Sequence, residues 1–287
     1  MRKIVLGADI GGSHITTTMI DLDRQEEIKG TWSRDRIDSK GSAFEIIESW
    51  ACTLERSIQL GAIQPLNISI AMPGPMDYNR GICRIKSQDK YKALYGLNLK
   101  EMLAVRLNFS PSAIHFMNDA ACFLQGEVFA GSLKGIDEAI GLTLGTGLGT
   151  AHFTNGKAVD ADLWKMPFLK GIAEDYLSTR WFIKRFHELS GIVVKDVKDL
   201  IDNHRESHFF SQIFKEFSDN LANFLYKFIR KEMPFAAVIG GNISNAEAYF
   251  LQDTRRKLAE LMGYSFPVKC SILGESAALM GAGSSYH

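Results

Sequence analysis

The chain has 287 residues, of which 46% are hydrophobic and 23% charged. These values are typical of a soluble globular protein with one large domain or two smaller ones. Lys plus Arg and Asp plus Glu both number 33, so the net charge is zero with neutral histidines. This balance argues against a nucleic-acid partner and against binding to a membrane surface.

The beginning of the chain, MRKIVLGADIGG, reads directly as a strand followed by a glycine turn. We therefore expect neither a signal peptide nor a transmembrane segment there. The four cysteines (Cys52, Cys83, Cys122 and Cys270) are far apart and form no C-x-x-C pair. Reduced cysteines in a cytoplasmic protein are the simplest interpretation.

Hydrophobic periodicity predicts strands and helices in alternation along the chain. The predicted strands are 3–10, 14–21, 66–71, 113–117, a hairpin over 138–153, and 235–239. The predicted helices are 42–60, 99–107, 120–129, 172–188, 211–232, 245–262 and 275–283. Alternation of this kind favours α/β layers, and hairpins at the start of each half favour mixed rather than purely parallel sheets. The boundary between the halves is expected near residues 108–120.

The chain contains an internal repeat. Residues 5–21 read VLGADIGGSHITTTMID and residues 139–155 read AIGLTLGTGLGTAHFTN, so Gly11 aligns with Gly145. Each copy predicts a strand, a glycine turn with small hydroxyl residues, and a second strand. Two such turns suggest two half-domains whose backbone N–H groups point at one anion, such as the phosphates of a nucleotide.

Three glycine segments are candidates for nucleotide binding. The first has Asp9, Gly11, Gly12 and Ser13, where glycine permits close approach to a phosphate and Asp9 suits a magnesium ion; the alternative is an ordinary hairpin turn. The second has Gly145, Thr146 and Gly147. The third, Gly240 with Gly241, follows a strand and suits a wall for adenine and ribose, or else a plain strand-to-helix turn.

Asp119 is the catalytic candidate. It follows the apolar segment 114–117, which places it at the carboxyl end of a predicted strand, where ligands collect in open α/β sheets. A carboxylate there can accept the proton of an attacking hydroxyl, as phosphoryl transfer requires. The alternative is that Asn118 or Asp119 only caps the helix through 120–129.

Taken together, these motifs resemble the ROK family (repressors, open reading frames and sugar kinases) of the actin-like ATPase/hexokinase superfamily, over almost the whole chain. The segments that carry the resemblance are 9–13 and 144–149 for phosphate, 71–77 with Gly81 for the sugar-side PGP loop, 118–127 for the NDAN…GE segment, 238–244 for adenosine, and 273–282 for the closing helix.

The resemblance implies two actin-like (ribonuclease H-like) α/β domains with mixed sheets and a cleft between them. We expect an N-terminal domain over 1–117 and a C-terminal domain over 118–287, with the last helix, about 275–287, as a candidate to pack back on the N-terminal domain. It also implies an ATP-dependent sugar kinase, glucokinase-like and acting on a hexose or N-acetylhexosamine, with ATP and Mg²⁺ as cofactors and a homodimer as the default assembly.

The resemblance also assigns roles to residues. Asp119 is the general base, and Asp9 is the Mg²⁺ residue, directly or through water. The sugar-side candidates are Gly74, Asn118, Asp119, Asp162 and Glu174. The nucleotide-side candidates are Asp9, Gly11, Gly12, Ser13, His14, Gly145, Thr146, Gly147, Gly240, Gly241 and Asn242.

One segment departs from the family pattern. Many members carry E-x-G-H, a cysteine-rich zinc loop and then C-L-E-x-Y-x-S, whereas residues 162–178 here form a short loop without cysteines and without a histidine after Trp164. No structural zinc site is therefore expected. Glu174 remains the carried-over sugar ligand, and Asp162 is the candidate for the first glutamate. The family's asparagine before the large helix has no clear counterpart; Ser87-Gln88-Asp89 lies in that neighbourhood.

Two rival functions stay open; the first follows from this departure, whereas Glu174 and the PGP loop count against the second. One is a catalytically impaired sugar sensor or regulator without a DNA-binding domain, since the chain starts on the first phosphate strand. The other is an ATPase that transfers phosphate to something other than a sugar.

Two further sequence patterns are weaker. His204 and His208 have the spacing of a helical metal pair but no evident third ligand. A phenylalanine stripe over 209–228 favours core or dimer packing.

Overall fold

The computed structural model describes residues 3–86 and 90–285 of the chain. The strands are β1 (Ile4–Ile10), β2 (His14–Asp21), β3 (Glu26–Glu27), β4 (Ser33–Arg36), β5 (Ile68–Met72), β6 (Met76–Asp77), β7 (Ile82–Cys83), β8 (Ile114–Asn118), β9 (Ala139–Leu144), β10 (Leu148–Thr154), β11 (Lys157–Asp160), β12 (Pro167–Phe168), β13 (Gly171–Ile172), β14 (Ala236–Gly240) and β15 (Val268–Cys270). The helices are α1 (Ala43–Gly61), α2 (Leu99–Leu107), α3 (Asp119–Phe129), α4 (Thr179–Ser190), α5 (Val197–His204), α6 (Phe210–Glu232), α7 (Leu251–Met262) and α8 (Ser276–Ser284).

The chain forms two compact units. Unit 1 comprises Met1–Lys134 with Glu275–His287, and unit 2 comprises Gly135–Gly274. Helix α3 belongs to unit 1, where it packs on α8 and on strand β8. Whether 1–117 and 118–287 behave as folding domains stays a prediction.

Unit 1 contains a mixed sheet in the order β3-β2-β1-β5-β8. Strand β4 also pairs with β2, along the first residues of that strand, whereas β3 pairs with its last two. Strands β1 and β2 are antiparallel across the first glycine turn, whereas β1, β5 and β8 are parallel. The three parallel strands are almost wholly buried, as their continuous apolar sequence requires. Their carboxyl ends therefore meet at one edge of the sheet.

Helix α1 covers one part of this sheet. Ser42 caps its N-terminus in a capping box with Glu45, which satisfies two backbone donors that would otherwise lack partners. Trp50, fully buried, lies on the inner face of the helix and contacts the Tyr91 ring edge-on, with centroids 5.6 Å apart. This contact holds the fully buried Tyr91 ring in the core of unit 1.

Helices α3 and α8 approach each other at backbone distance. A Cβ added at Gly281 would overlap the Cys122 carbonyl oxygen, and one added at Gly126 would overlap the Ala277 carbonyl oxygen. Only glycine fits at such a crossing, so these two positions fix how α3 lies on the closing helix. Because Asp119 is the first residue of α3, this crossing also fixes its backbone.

Unit 2 repeats the topology of unit 1. Its main sheet has the order β11-β10-β9-β14-β15, with β9, β14 and β15 parallel and the hairpin β9–β10 antiparallel. The repeat seen in the sequence is thus a repeat of sheet topology. The predicted phenylalanine stripe of α6 lies in the core of this unit: Phe214, Phe217, Phe224 and Phe228 are all buried.

Two predicted helices begin later than expected. Within 172–188 the α-helix begins only at Thr179, after a 3-10 turn over Ala173–Asp175 and an extended Ser178. Within 245–262 a 3-10 segment, Asn242–Tyr249, precedes α7. In both cases the apolar residues of the predicted helix are buried whether they lie in a 3-10 turn or in an α-helix. Their spacing therefore predicts the buried face but not the residue at which the α-helix begins.

No helix in the described residues is long and apolar enough to cross a membrane.

Candidate active site

The register of the parallel strands of unit 1 places Asp9 and Asp119 at the same sheet edge. Asp9 of β1 lies opposite Ala71 of β5, and Ala71 lies opposite Met117 of β8. Asp119 follows β8 directly and begins α3. Two carboxylates that are far apart in the sequence are thereby neighbours at the carboxyl ends of the strands, where open α/β sheets bind ligands.

The electrostatic field around Asp9 is unfavourable for its charge. Burial, the Asp119 carboxylate and the Glu275 carboxylate together raise the pKa of Asp9 from 3.8 to about 7, and the Arg34 guanidinium opposes the rise. A buried carboxylate with carboxylate neighbours favours either a proton or a cation.

Asp119 is a stronger base than an exposed aspartate. Burial raises the pKa of Asp119, while the backbone N–H of Ala120 and the charge of Lys90 oppose the rise. Asn118 is the N-cap of helix α3, and its Oδ1 accepts a hydrogen bond from the Ala121 N–H at 3.1 Å. Asp119 itself binds the N–H of its neighbour, through Oδ1 at 2.9 Å. The cap and the candidate base are therefore different residues.

The first glycine turn is closed by a hydrogen bond within its own backbone and is also held by the side chain of Tyr91. The Gly11 N–H donates to the His14 carbonyl at 2.9 Å, and Ser13 Oγ lies 2.9 Å from His14 Nδ1. The Tyr91 hydroxyl donates a hydrogen bond to the Gly11 carbonyl. A Cβ at Gly12 would lie 3.4 Å from Cδ of Lys90, so a lysine side chain runs beside the turn.

The PGP loop is linked to the end of β8 through a tyrosine. The Tyr78 hydroxyl donates to the Met72 carbonyl at 3.1 Å, and Asn118 Nδ2 lies 3.5 Å from the same hydroxyl oxygen. A Cβ at Gly74 would lie 3.1 Å from that oxygen, so a larger residue there would require the tyrosine to move by a few tenths of an ångström. The Tyr78 hydroxyl therefore lies beside both Gly74 and Asn118, two of the predicted sugar-side residues.

In unit 2, the second glycine turn is held at both ends. The Gly145 N–H donates to the Gly147 carbonyl at 3.0 Å, while the Gly145 carbonyl accepts from the Thr179 N–H at 2.8 Å and from Thr179 Oγ1 at 2.9 Å. At the other end, the Leu148 N–H donates to Glu174 Oε2 at 3.0 Å. Glu174, predicted as a sugar ligand, is thereby attached to the predicted phosphate turn.

The third glycine pair lies against the second turn. Gly241 has φ of +84°, and a Cβ there would overlap the carbonyl oxygen of Leu144, the residue that precedes Gly145. Both its conformation and this close approach require glycine. The third glycine pair therefore lies next to the strand end that leads into the second turn, with Gly240 opposite Thr143 and Gly241 against Leu144; Asn242 follows the pair and Thr146 lies within the turn in the sequence.

Segment 162–170, which departs from the family pattern, is mostly exposed, with Leu163 and Phe168 buried in the core. Asp162 has a left-handed backbone (φ 52°) and pairs with Lys165. Trp164 is 40% exposed, so it is not a core residue, and its carbonyl accepts the Glu174 N–H at 3.0 Å. The neighbourhood of the family asparagine, Ser87-Gln88-Asp89, lies outside the described residues.

Sequence reasoning missed three residues beside these turns. Arg34 pairs with Glu275 at 2.7 Å next to Asp9, Tyr91 supports Gly11, and Arg180 pairs with Glu174. None of the three belongs to a recognisable motif. Arg180 alone lies close to one in the sequence, since it follows Ser178 and Thr179 directly.

The histidine spacing does not produce a metal site in the structure. His204 ends α5, whereas His208 lies in the turn before α6, so the two do not share a helix. Among residues 3–86 and 90–285, no cluster of three or more His, Cys, Asp or Glu side chains has the arrangement of a metal site.

Comparison with known proteins supports the sequence resemblance. The ROK family model matches residues 5–161. A glucokinase from Thermotoga maritima is 27% identical over 98% of this chain and 96% of its own. An N-acetyl-D-glucosamine kinase from Pectobacterium atrosepticum is 25% identical over 87% of each chain.

Solved structures show the same fold. A ROK hexokinase from Thermus thermophilus has a TM-score of 0.81 at 19% identity, with coverage of 99% of this chain and 98% of that chain. A ROK-family glucokinase from Streptomyces griseus, solved with glucose and AMPPNP, has a TM-score of 0.77 at 19% identity, with coverage of 98% of both chains. The predicted fold class, actin-like α/β with mixed sheets, is confirmed.

Proposed function

This chain belongs to the ROK family, and on that premise we propose that it is an ATP-dependent kinase of a hexose or an N-acetylhexosamine. The relatives named glucokinase and N-acetyl-D-glucosamine kinase support this substrate class. The observation that carries the proposal is the placement of Asp119 beside Asp9 at the carboxyl edge of the parallel strands, where burial raises the pKa of both carboxyl groups.

Asp119 is proposed as the general base. Its elevated pKa makes it a better proton acceptor for a sugar hydroxyl than an ordinary aspartate, because base strength rises with pKa. The proton moves from the hydroxyl to the Asp119 carboxylate as the hydroxyl oxygen attacks the terminal phosphorus of ATP, while the bond from that phosphorus to the oxygen bridging to the β-phosphate breaks and ADP leaves. Asn118 caps α3 and so relieves the Asp119 carboxylate of that task.

The residues around Asp9 fit a magnesium ion. In the described residues no hydrogen bond offsets the raised pKa of Asp9, so a divalent cation held directly or through water would relieve its repulsion from Asp119 and Glu275. Mg²⁺ in kinases is commonly held by one or two carboxylates together with substrate phosphates, which suits a site without a three-residue cage. When bound, it would neutralise charge on the phosphate oxygens.

The two glycine turns are proposed to bind the phosphates. Backbone N–H groups of such turns stabilise the charge that spreads over the transferred phosphoryl group. We assign this role to Gly11, Gly12, Ser13 and His14 in unit 1 and to Gly145, Thr146 and Gly147 in unit 2. Gly240, Gly241 and Asn242 are proposed to face the adenosine.

On the sugar side, Gly74, Asn118, Asp162 and Glu174 are proposed as ligands. Glu174 keeps the family position, whereas the histidine of E-x-G-H has no counterpart after Trp164. We therefore expect fewer hydroxyl contacts than in relatives that carry that histidine, and a higher KM for the sugar. The homodimer and the cytoplasmic location stay predictions from the sequence.

The test is an ADP-release assay with MgATP and a panel of hexoses and N-acetylhexosamines. We expect turnover of at least one sugar and a kcat lower by roughly 10²-fold or more in Asp119→Asn, the scale of a lost general base. Asp137→Asn, an exposed aspartate outside the site, is the matched control and should keep the wild-type rate. If no sugar is turned over although sugar binding persists, the proposal fails and a sensor is favoured.

A further inference from the structure

Glu174 occupies an unusual position for a sugar ligand, because its carboxylate already touches the second glycine turn. The Leu148 N–H donates to Oε2 at 3.0 Å, and a Cβ at Gly147 would lie 2.5 Å from the same oxygen. The other oxygen, Oε1, is paired with the guanidinium of Arg180. One carboxylate therefore joins the predicted phosphate turn to an arginine.

Arg180 belongs to the same structural clamp. It is the second residue of α4, and the first residue of that helix, Thr179, binds the Gly145 carbonyl through both its N–H and its hydroxyl. The start of α4 thus holds one end of the turn directly and the other end through Glu174. The Arg180 side chain is 64% exposed, so its role in folding is small, whereas the Glu174 side chain is only 21% exposed.

The chemistry of this arrangement is specific. An ionised carboxylate has about four acceptor positions, of which Leu148 and Arg180 use two, so Glu174 retains capacity for a sugar hydroxyl. A bare carboxylate beside a phosphate turn would repel the incoming phosphates, and the arginine neutralises that charge. Arg180 also restricts the direction in which the carboxylate points.

We propose that Arg180 is a positioning residue that fixes Glu174 between the sugar and the second glycine turn, so that sugar and nucleotide binding are positively coupled through one carboxylate. The inference rests on the proposed function, since it takes Glu174 as a sugar ligand and the turn as a phosphate site. Because Arg180 holds this carboxylate in one orientation, a sugar bound to it acts on the same group that contacts the turn, and each substrate favours the arrangement that the other requires.

The experiment measures the dissociation constant of a non-hydrolysable ATP analogue with Mg²⁺, by calorimetry, with and without a saturating amount of the sugar that the wild type phosphorylates. We expect the sugar to tighten nucleotide binding by about fivefold or more in the wild type, at the lower end of typical coupling. Arg180→Met should reduce this factor to less than about twofold, and Arg180→Lys, which keeps the charge, should retain part of it.

Arg185→Met is the matched control, because Arg185 lies on the same helix and pairs with Glu216 at 2.6 Å, away from the turn. Its coupling factor should equal that of the wild type. The inference is overturned if the wild type shows no coupling, if Arg180→Met keeps the wild-type factor, or if Arg185→Met loses as much. These results leave the proposed function standing, whereas absence of turnover with every sugar removes the proposed function and this inference with it.

Discussion

Replacing Asp9 by asparagine should stabilise the metal-free protein while it abolishes most of the activity. The structure holds Asp9 partly buried, with Asp119 and Glu275 as carboxylate neighbours, and its pKa rises from 3.8 to about 7. A native carboxyl group with a raised pKa binds its proton more tightly than the unfolded chain does. The free energy of unfolding therefore falls as pH rises from about 4 to about 7, and the penalty is complete above pH 7.

The size of the effect follows from linkage. At 1.36 kcal/mol for each pKa unit, the raised pKa of Asp9 lowers the free energy of unfolding by roughly 2 kcal/mol at pH 5, where the folded state must take up a proton, and by roughly 4 kcal/mol at pH 8, where the carboxylate is ionised. An asparagine in its place has no charge to bury but keeps a polar amide, whose cost does not depend on pH. The stability gained by Asp9→Asn should therefore grow by roughly 2 to 3 kcal/mol between pH 5 and pH 8.

The assay is urea unfolding at both pH values in the presence of EDTA, because a divalent cation at Asp9 would mask the penalty. Asp137→Asn, on an exposed aspartate, controls for the loss of one surface charge. If Asp9→Asn gives the same stability difference at pH 5 and pH 8, or destabilises the protein at pH 8, the electrostatic account of this sheet edge is incorrect.

The α3–α8 crossing and the support of the first turn give two more predictions. Gly281→Ala should lower the free energy of unfolding by at least about 2 kcal/mol, because its Cβ would overlap the Cys122 carbonyl oxygen; an unchanged or raised melting temperature would contradict that packing. Tyr91→Phe removes the hydroxyl that donates to the Gly11 carbonyl, at a cost of about 1 kcal/mol, and should raise the KM for ATP about fivefold. An unchanged KM for ATP with unchanged stability would show that this hydrogen bond does not support the turn.

Much of the fold could be predicted from the sequence because its signals are local. The first strand pair, the two glycine turns and α6 follow from β-branched runs, glycine placement and a long apolar stripe, and the structure has them within a residue or two. Such local sequence patterns contain no information about which distant segments pack closely against each other. The grouping of α3 with unit 1 depends on Gly126 and Gly281, which the sequence presents as ordinary helix glycines.

The candidate site likewise contains residues that the sequence predicts and residues that only the structure reveals. Asp9, Asp119 and Glu174 lie in recognisable motifs, whereas Tyr91 and Arg180 act through contacts that only the folded chain brings about. Tyr91 lies 80 positions from Gly11 in the sequence, and nothing near it indicates a partner. Side chains that support a motif from outside it carry no periodicity and no spacing, so sequence reasoning cannot find them.

The central claim is that Asp119 accepts the proton of a sugar hydroxyl during phosphoryl transfer from ATP. The most direct measurement is product analysis by ³¹P NMR and mass spectrometry after incubation of wild type and Asp119→Asn with MgATP and the best sugar of the panel. The account predicts one sugar phosphate for each ADP in the wild type, and a rate lower by roughly 10²-fold or more in Asp119→Asn at similar sugar affinity. Equal rates of sugar phosphate formation in the two proteins, or ADP without any phosphorylated sugar, would contradict it.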